Sequence, residues 1–190
     1  MPYVPGSSIK GMLRTAIIAW ELHRSPDKYN DVREEIKSAS SIRAGRNMYL
    51  ARETKMLEQK VLFILNNDQK NKGNAVNDCL SGLHIGDSEP IKVNQLTLSQ
   101  KIDYMIDGNQ KALPLLRETL IPGTEINFEI TIDTTVCPYD IDDIFEALQY
   151  FKKVCNEYFY RHFNREINDD NAVFIGGGCG FLSKTVIYSL

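Results

Sequence analysis

Directly after the opening Met1-Pro2-Tyr3-Val4-Pro5-Gly6, apolar residues recur at helical spacing. Ile9, Leu13, Ala16, Ile17 and Trp20 fall on one stripe, which predicts an amphipathic helix. Ser7 or Ser8, following Pro5-Gly6, is the expected N-cap. Ser25-Pro26-Asp27 ends that helix and opens the next. Two further helical stretches, about 27–39 and 41–60, are rich in charge with sparser apolar positions. The second sets Arg43, Arg46, Arg52, Lys55 and Lys60 against Glu53 and Glu58. Mixed signs at helical spacing mark a solvated face or an RNA-facing one.

Residues 66–79, from Asn66-Asn67-Asp68-Gln69-Lys70 onward, are polar and read as a flexible loop. Beyond them the period changes to that of strands. Segments 81–87, 91–98 and 113–120 are predicted strands, and Glu125–Asp133 alternates strictly, with apolar residues at 126, 128, 130 and 132. Pro122-Gly123 marks a tight turn, so 113–120 and 124–133 are expected to pair as a hairpin. A long helix follows Pro138. Asp140, Asp142 and Asp143 lie at its N-terminus, where the macrodipole favours negative charge. Its predicted apolar stripe is Ile141, Ile144, Phe145, Leu148, Phe151, Cys155 and Phe159. The apolar run Ala172–Ile175 then enters Gly176-Gly177-Gly178-Cys179-Gly180. Helices, strands, helix and glycine loop in this order predict an α+β fold with an antiparallel sheet. The organisation read from the chain is one domain over 1–190, helical in 1–60, with strands, long helix and glycine loop in 81–190.

Composition narrows the function only in part. The 190 residues are 43% hydrophobic and 25% charged, as in a globular chain. No apolar run reaches the roughly 18 residues that span a bilayer, and the first residues lack a secretory signal, so a cytoplasmic protein without membrane contact is expected. Lys+Arg 22 against Asp+Glu 25 gives a net charge of −3, so nucleic acid would have to be bound by a local patch. Cys79, Cys137, Cys155 and Cys179 form no closely spaced pair, and His23, His84 and His162 do not complete one. Reduced thiols and no metal or other cofactor are expected.

Two glycine-containing motifs carry the candidate chemistry. In the first, Tyr3–Gly11, a helix N-terminus presents amide donors suited to a phosphate, with Ser7 and Ser8 as hydroxyl donors and Lys10 and Arg14 able to reach one side. An ordinary capped helix with two exposed basic residues fits the same spacing. The second, Gly176–Thr185, nearly matches a phosphate-binding P-loop. However, Ser183 stands where a glycine is required, and five residues after Thr185 leave no room for the parallel strands of an NTPase. Phe181 likewise breaks the dinucleotide fingerprint. What remains is a loop permitting close backbone approach to a sugar-phosphate chain, or a tight turn between packed elements. No histidine or carboxylate constellation points to catalysis.

Together these motifs resemble the RAMP superfamily of CRISPR-associated proteins, and within it the family of fifth subunits of type III-A (Csm) effector complexes. Pro5-Gly6-Ser7-Ser8-Ile9-Lys10-Gly11-Met12-Leu13-Arg14-Thr15 is similar to the family's helix start, and Gly86-Asp87-Ser88 to its short strand ending in Asp-Ser. Arg117-Glu118 with Pro122-Gly123-Thr124 and Phe128 resembles its hairpin. Gly176–Thr185 resembles its glycine-rich loop ending in Ser-Lys-Thr. The resemblance implies a ferredoxin-like (RRM-like) fold with extra helices. It further implies a non-catalytic subunit that caps the filament near the 3′ end of the guide RNA (crRNA) and supports guide maturation in antiviral defence. RNA contacts carry over to Ser7, Ser8, Lys10, Arg14, Gly177, Gly178, Gly180 and Lys184. The implied partners are guide RNA and the other Csm subunits, chiefly the backbone RAMP subunit, with no direct contact to DNA. The alternative is a metal-independent endoribonuclease of the repeat-processing RAMP type. Family members carry a segment before the Pro-Gly-Ser-Ser motif, including a central first strand, and more chain after Ser-Lys-Thr. The expectation is therefore a partial or split version, or a strand supplied by another chain.

Overall fold

The computed structural model describes residues 1–41, 51–169, 172–176 and 185–190. Its elements are α1 (Gly6–Arg24), α2 (Asn30–Ser40), α3 (Ala51–Leu62), β1 (Leu83–Ile85), β2 (Leu96–Tyr104), β3 (Gln110–Leu120), β4 (Ile130–Ile132) and α4 (Ile141–Tyr158), joined by loops and short 3-10 turns. The first part of the helix expected over 41–60, with Arg43 and Arg46, lies outside the described residues, as does most of the glycine loop.

Helix α1 is the hub. Besides its expected stripe, Met12, Ile18, Ala19 and Leu22 are also buried, because α3, β1 and α4 all pack on it. Ala16 and Ala19 are wholly inaccessible, small side chains that let a neighbouring backbone come close. The ring of Trp20 meets Tyr139 edge-on at 6.3 Å, and the Arg24 guanidinium lies 4.6 Å from its centroid. On α4 the buried face is Ile144, Ala147, Phe151, Val154 and Cys155. Ile141 and Phe145, expected on that face, are exposed, since the stripe that meets α1 runs through Ala147 and Val154 instead. Asp140 caps α4: its Oδ1 accepts from the Asp143 amide at 2.9 Å, and the Asp143 carboxylate accepts from the Asp140 amide at 3.2 Å.

The strands pair antiparallel but not as expected. β3 pairs with β2 through a turn at 105–109, giving a long hairpin, and β1 pairs with β4, with Leu83 opposite Ile132 and Ile85 opposite Ile130. Pro122-Gly123 does turn the chain, with Gly123 at φ 86° and the Thr124 amide donating to Ile121 O at 3.1 Å. It leads away from β3, however, and not back along it. The hairpin is closed instead at Asp107-Gly108, with Gly108 at φ 85° and its amide donating to Met105 O at 3.0 Å, a turn that lies between β2 and β3. Of the alternating segment 125–133 only Ile130–Ile132 is regular strand, although the Gly86 amide still bonds Glu129 O and the Glu89 amide Asn127 O. The loop at 66–79 is braced from within by buried Asn77, whose Nδ2 donates to Asp68 O and whose Oδ1 accepts from the Asp68 amide. The result is an α+β fold with antiparallel strand pairs.

Candidate nucleic-acid interface

The two motifs nearest the start of α1 are joined in space. The Gly6 amide donates to Asp87 Oδ1 at 2.8 Å, the Val4 amide to Ser88 Oγ at 2.8 Å, and the Ser88 amide to Val4 O at 2.9 Å. Ile91 adds a bond from its amide to Pro2 O at 2.8 Å, so the extended residues 2–4 run beside 88–91. This explains the helix start. Pro5 is the N-cap, in extended conformation, and neither Ser7 nor Ser8 caps through its side chain. A carboxylate from β1's far end does that work, placed where the helix dipole favours it. The positive end of α1 is thus already partnered by Asp87, and the serine hydroxyls of its exposed first turn are left for other contacts.

Beside this junction lies an open cleft of about 560 Å³ between the first turns of α1 and the β1–β4 pair. Gly6, Ser7, Lys10, His84, Glu129 and Thr131 contribute to its walls. Lys10 Nζ reaches across it to donate to Leu83 O at 2.8 Å. Gly6 is glycine because the backbone demands it: a Cβ there would lie 2.2 Å from Ile85 O and 2.6 Å from Gly86 O. The helix can approach the strand this closely only without a side chain.

Lys10 and Arg14 do not act on the same side. Arg14 turns towards α3 and the polar loop, pairing with Glu58 at 2.7 Å and with Asp78. Asp78 also accepts from the Leu80 amide at 2.9 Å, so the guanidinium ties α1 to the turn that precedes β1. Ser8 is exposed on the first turn of α1. Gly177, Gly178, Gly180 and Lys184 lie outside the described residues, but both ends of their loop are placed. Before it, Phe174 is buried against Phe151 of α4, with ring centroids 6.1 Å apart. After it, Val186 shares a pocket with Arg14, Thr15 and Ile18 of α1.

Sequence reasoning missed His84, Glu129 and Thr131. His84 and Thr131 are register partners across β1–β4. Only the correct strand pairing could have brought them to Lys10. His23 stacks on Tyr150 at 4.5 Å, a packing role. Cys79, Cys137 and Cys155 are buried free thiols, and burial pushes Cys79 and Cys155 up to about 12, far from a nucleophile's range. Among the described residues no group of His, Cys, Asp and Glu side chains could hold a metal ion, and no helix is long and apolar enough to cross a membrane.

Comparison with known proteins gives this geometry its context. The chain is 28% identical over 199 residues to the CRISPR system Cms protein Csm5 of Mycobacterium tuberculosis (strain CDC 1551 / Oshkosh), covering 98% of this chain and 49% of the relative. It is 28% identical over 193 residues to Csm5 of Streptococcus thermophilus, covering 97% and 47%. The chain therefore spans about half the length of the curated relatives it matches. Its fold matches a chain in a cryo-EM structure of a Csm–crRNA–target RNA ternary complex of a type III-A CRISPR-Cas system, with TM-score 0.61, 20% identity, 98% of this chain and 60% of that one. It matches the crystal structure of T.onnurineus Csm5 with TM-score 0.60, 20% identity, 98% and 64%. A family model, the RAMP superfamily, matches residues 1–183. Over nearly its whole length, and in its similarity to fifth subunits of type III-A complexes, the chain belongs to the RAMP superfamily.

Proposed function

We propose that the chain is a non-catalytic, RNA-binding subunit of a type III-A CRISPR effector complex in the cytoplasm, near the 3′ end of the guide RNA, where it supports guide maturation. The sugar-phosphate runs through the cleft at the start of α1. Lys10 supplies the charge and Ser7 and Ser8 the hydroxyl donors, and Gly177, Gly178, Gly180 and Lys184 are the further RNA contacts this reading assigns. Arg14 holds the wall behind the cleft through Glu58 and Asp78. The observation that supports RNA contact at the start of α1 is the open cleft where Ser7 and Lys10 meet the β1–β4 pair; Val186, two residues past Lys184, lies by the same helix but on the side that faces α3, with Arg14, Thr15 and Ile18.

Neighbouring subunits would meet the projecting β2–β3 hairpin. Leu98, Ile102 and Leu116 are 67%, 50% and 61% exposed, and they lie on one face with Leu96 and Leu120 by ladder register. An apolar face this open on a two-stranded ribbon fits a protein partner. The backbone RAMP subunit is the partner this reading assigns to it.

The test is binding of single-stranded RNA across a salt series, wild type beside Lys10→Ala and Lys184→Ala. Each lysine that neutralises a phosphate flattens the logarithmic salt slope by about 0.7 when removed. Superimposable curves would remove the groove. A second reading, RNA cleavage, has one observation in its favour: His84 lines the same cleft as Lys10. On that reading His84→Ala abolishes cleavage of repeat RNA while leaving binding intact, and wild-type protein that leaves the RNA uncut ends it.

A further inference from the structure

The C-terminal end of α4 builds a second cavity that the groove does not use. Helix α4 stops at Tyr158, a 3-10 turn spans Tyr160–Phe163, and Asn164 at φ 52° reverses the chain. The returning segment is pinned back on the helix: Asn156 Nδ2 donates to Ile167 O at 2.8 Å, and Asn156 Oδ1 accepts from the Ile167 amide at 3.0 Å. Between these elements and the tip of the β2–β3 hairpin lies a space of about 550 Å³, within the roughly 300–1,000 Å³ of small-molecule sites. Its walls include the rings of Tyr104, Phe159, Tyr160 and Phe163, with Arg165 and Glu166 at the mouth. Phe159 meets Phe163 at 5.2 Å and Tyr160 edge-on at 5.4 Å. The Arg165 guanidinium lies 4.7 Å from the Tyr104 ring centroid, a flat cation already stacked on a flat ring.

A second pocket adjoins this one through Glu166 and is lined by Lys152, Lys153 and Arg161. Arg165 thus lines the aromatic cavity itself, and three more cations line the pocket next to it, with Glu157 and with Glu166, which pairs with Arg161 at 3.6 Å. Apolar rings alone would suit many occupants. Rings with a stacked guanidinium and a cationic rim suit a planar base joined to phosphates. We infer that the cavity at the end of α4 accepts an unstacked base of single-stranded RNA, slotted beside Tyr104 and Arg165, while Lys152, Lys153 and Arg161 face the adjoining phosphates. This site rests on the RNA-binding reading above, but it recognises the base where the α1 cleft recognises the backbone.

That difference supplies the test. Fluorescein-labelled oligouridylate and an abasic ribose-phosphate strand of equal length are titrated against the 190-residue chain and its Tyr104→Ala, Arg165→Ala and Lys10→Ala variants. Wild type prefers the base-bearing strand. Tyr104→Ala weakens that strand by about tenfold and the abasic strand hardly at all, so the preference collapses. Arg165→Ala, at an exposed position that does not threaten the fold, reduces the preference in the same direction. Lys10→Ala weakens both strands alike. A preference unchanged in both Tyr104→Ala and Arg165→Ala, or a wild type without any preference, overturns the base site and leaves the backbone groove standing. The second result is the one expected if a protein segment fills the cavity. Failure of wild type to bind either strand overturns both.

Discussion

Gly6 shows how much a single hydrogen atom decides. It stands in the family motif beside two serines and a lysine, and reads from sequence as part of a phosphate cradle. Its place in the structure is steric, with two carbonyl oxygens of β1's end where a Cβ would go. Gly6→Ala is therefore expected to cost about 3 kcal/mol, read from urea unfolding, whereas Gly11→Ala, whose Cβ meets nothing within 4 Å, leaves stability unchanged or raised. Arg14 teaches the same lesson. Its guanidinium is held by Glu58 and Asp78, so Arg14→Ala strands two carboxylates and is expected to destabilise by about 2 kcal/mol. Lys10→Ala, at an open cleft, is expected to change stability little.

The buried thiols give a prediction in pH. Cys79 and Cys155 are raised from 9.0 to about 12 by desolvation first, with the Asp78 charge adding to the effect on Cys79. In the unfolded chain they titrate near 9, so between pH 9 and 12 the unfolded state holds fewer protons than the native one. Stability then falls as pH rises through that window, by about 1 kcal/mol per thiol per pH unit, and is unaffected by these groups below it. Denaturant midpoints at pH 8 and pH 10 measure this. Peptide mapping after iodoacetamide treatment at pH 8.5 should show Cys79, Cys137 and Cys155 labelled only once the protein unfolds.

At the scale of elements, helices were legible and strand partners were not. The stripe of α1 and the acidic start of α4 follow from near-neighbour rules, and Asp140 takes the N-cap with Asp143 as its reciprocal partner. Asp140→Ala is expected to cost about 1 kcal/mol by the same unfolding measurement. The hairpin is another matter. Segment 113–120 reads the same whichever strand it meets, and its pairing with β2 is set by the turn at Asp107-Gly108 that joins them. Pro114, which has no amide to donate, lies in the register shift where β3 gains residues opposite Gln100–Ile102. Strand periodicity reports a face but never the neighbour across the ladder. The exposed apolar face of this hairpin leads to a prediction at the same scale. Leu98→Ser with Leu116→Ser should leave thermal unfolding within about 1 kcal/mol of wild type and abolish co-purification with the other type III-A subunits.

At the scale of the whole molecule, the order of motifs was the most informative signal, and two of them, Pro5-Gly6 and Asp87-Ser88, are bonded to each other. Asp87-Ser88 bonds the start of α1 and the chain before it, Asp78 bonds the arginine of α1, and Val186, past the glycine-rich segment, shares a pocket with the same helix. The candidate site was legible as a set of residue types, but its geometry was not. Nothing in the spacing of Lys10 and Arg14 shows that one faces a cleft and the other a pair of carboxylates. Nor could His84, Glu129 and Thr131 be placed at Lys10 before β1 and β4 were known to pair. The aromatic cavity was visible only as the dense run Tyr158-Phe159-Tyr160-Arg161-His162-Phe163, which composition alone does not separate from core.

The central proposal is that the start of α1 and the glycine-rich segment hold one stretch of RNA. Amide hydrogen exchange of the full chain, with and without saturating single-stranded RNA, tests it most directly. Slowed exchange is expected together in residues 6–10, 83–86, 129–131 and 176–186, with loss of all four effects in Lys10→Ala at the same RNA concentration. Protection of the α1 start without the glycine loop, or of neither, would contradict that proposal.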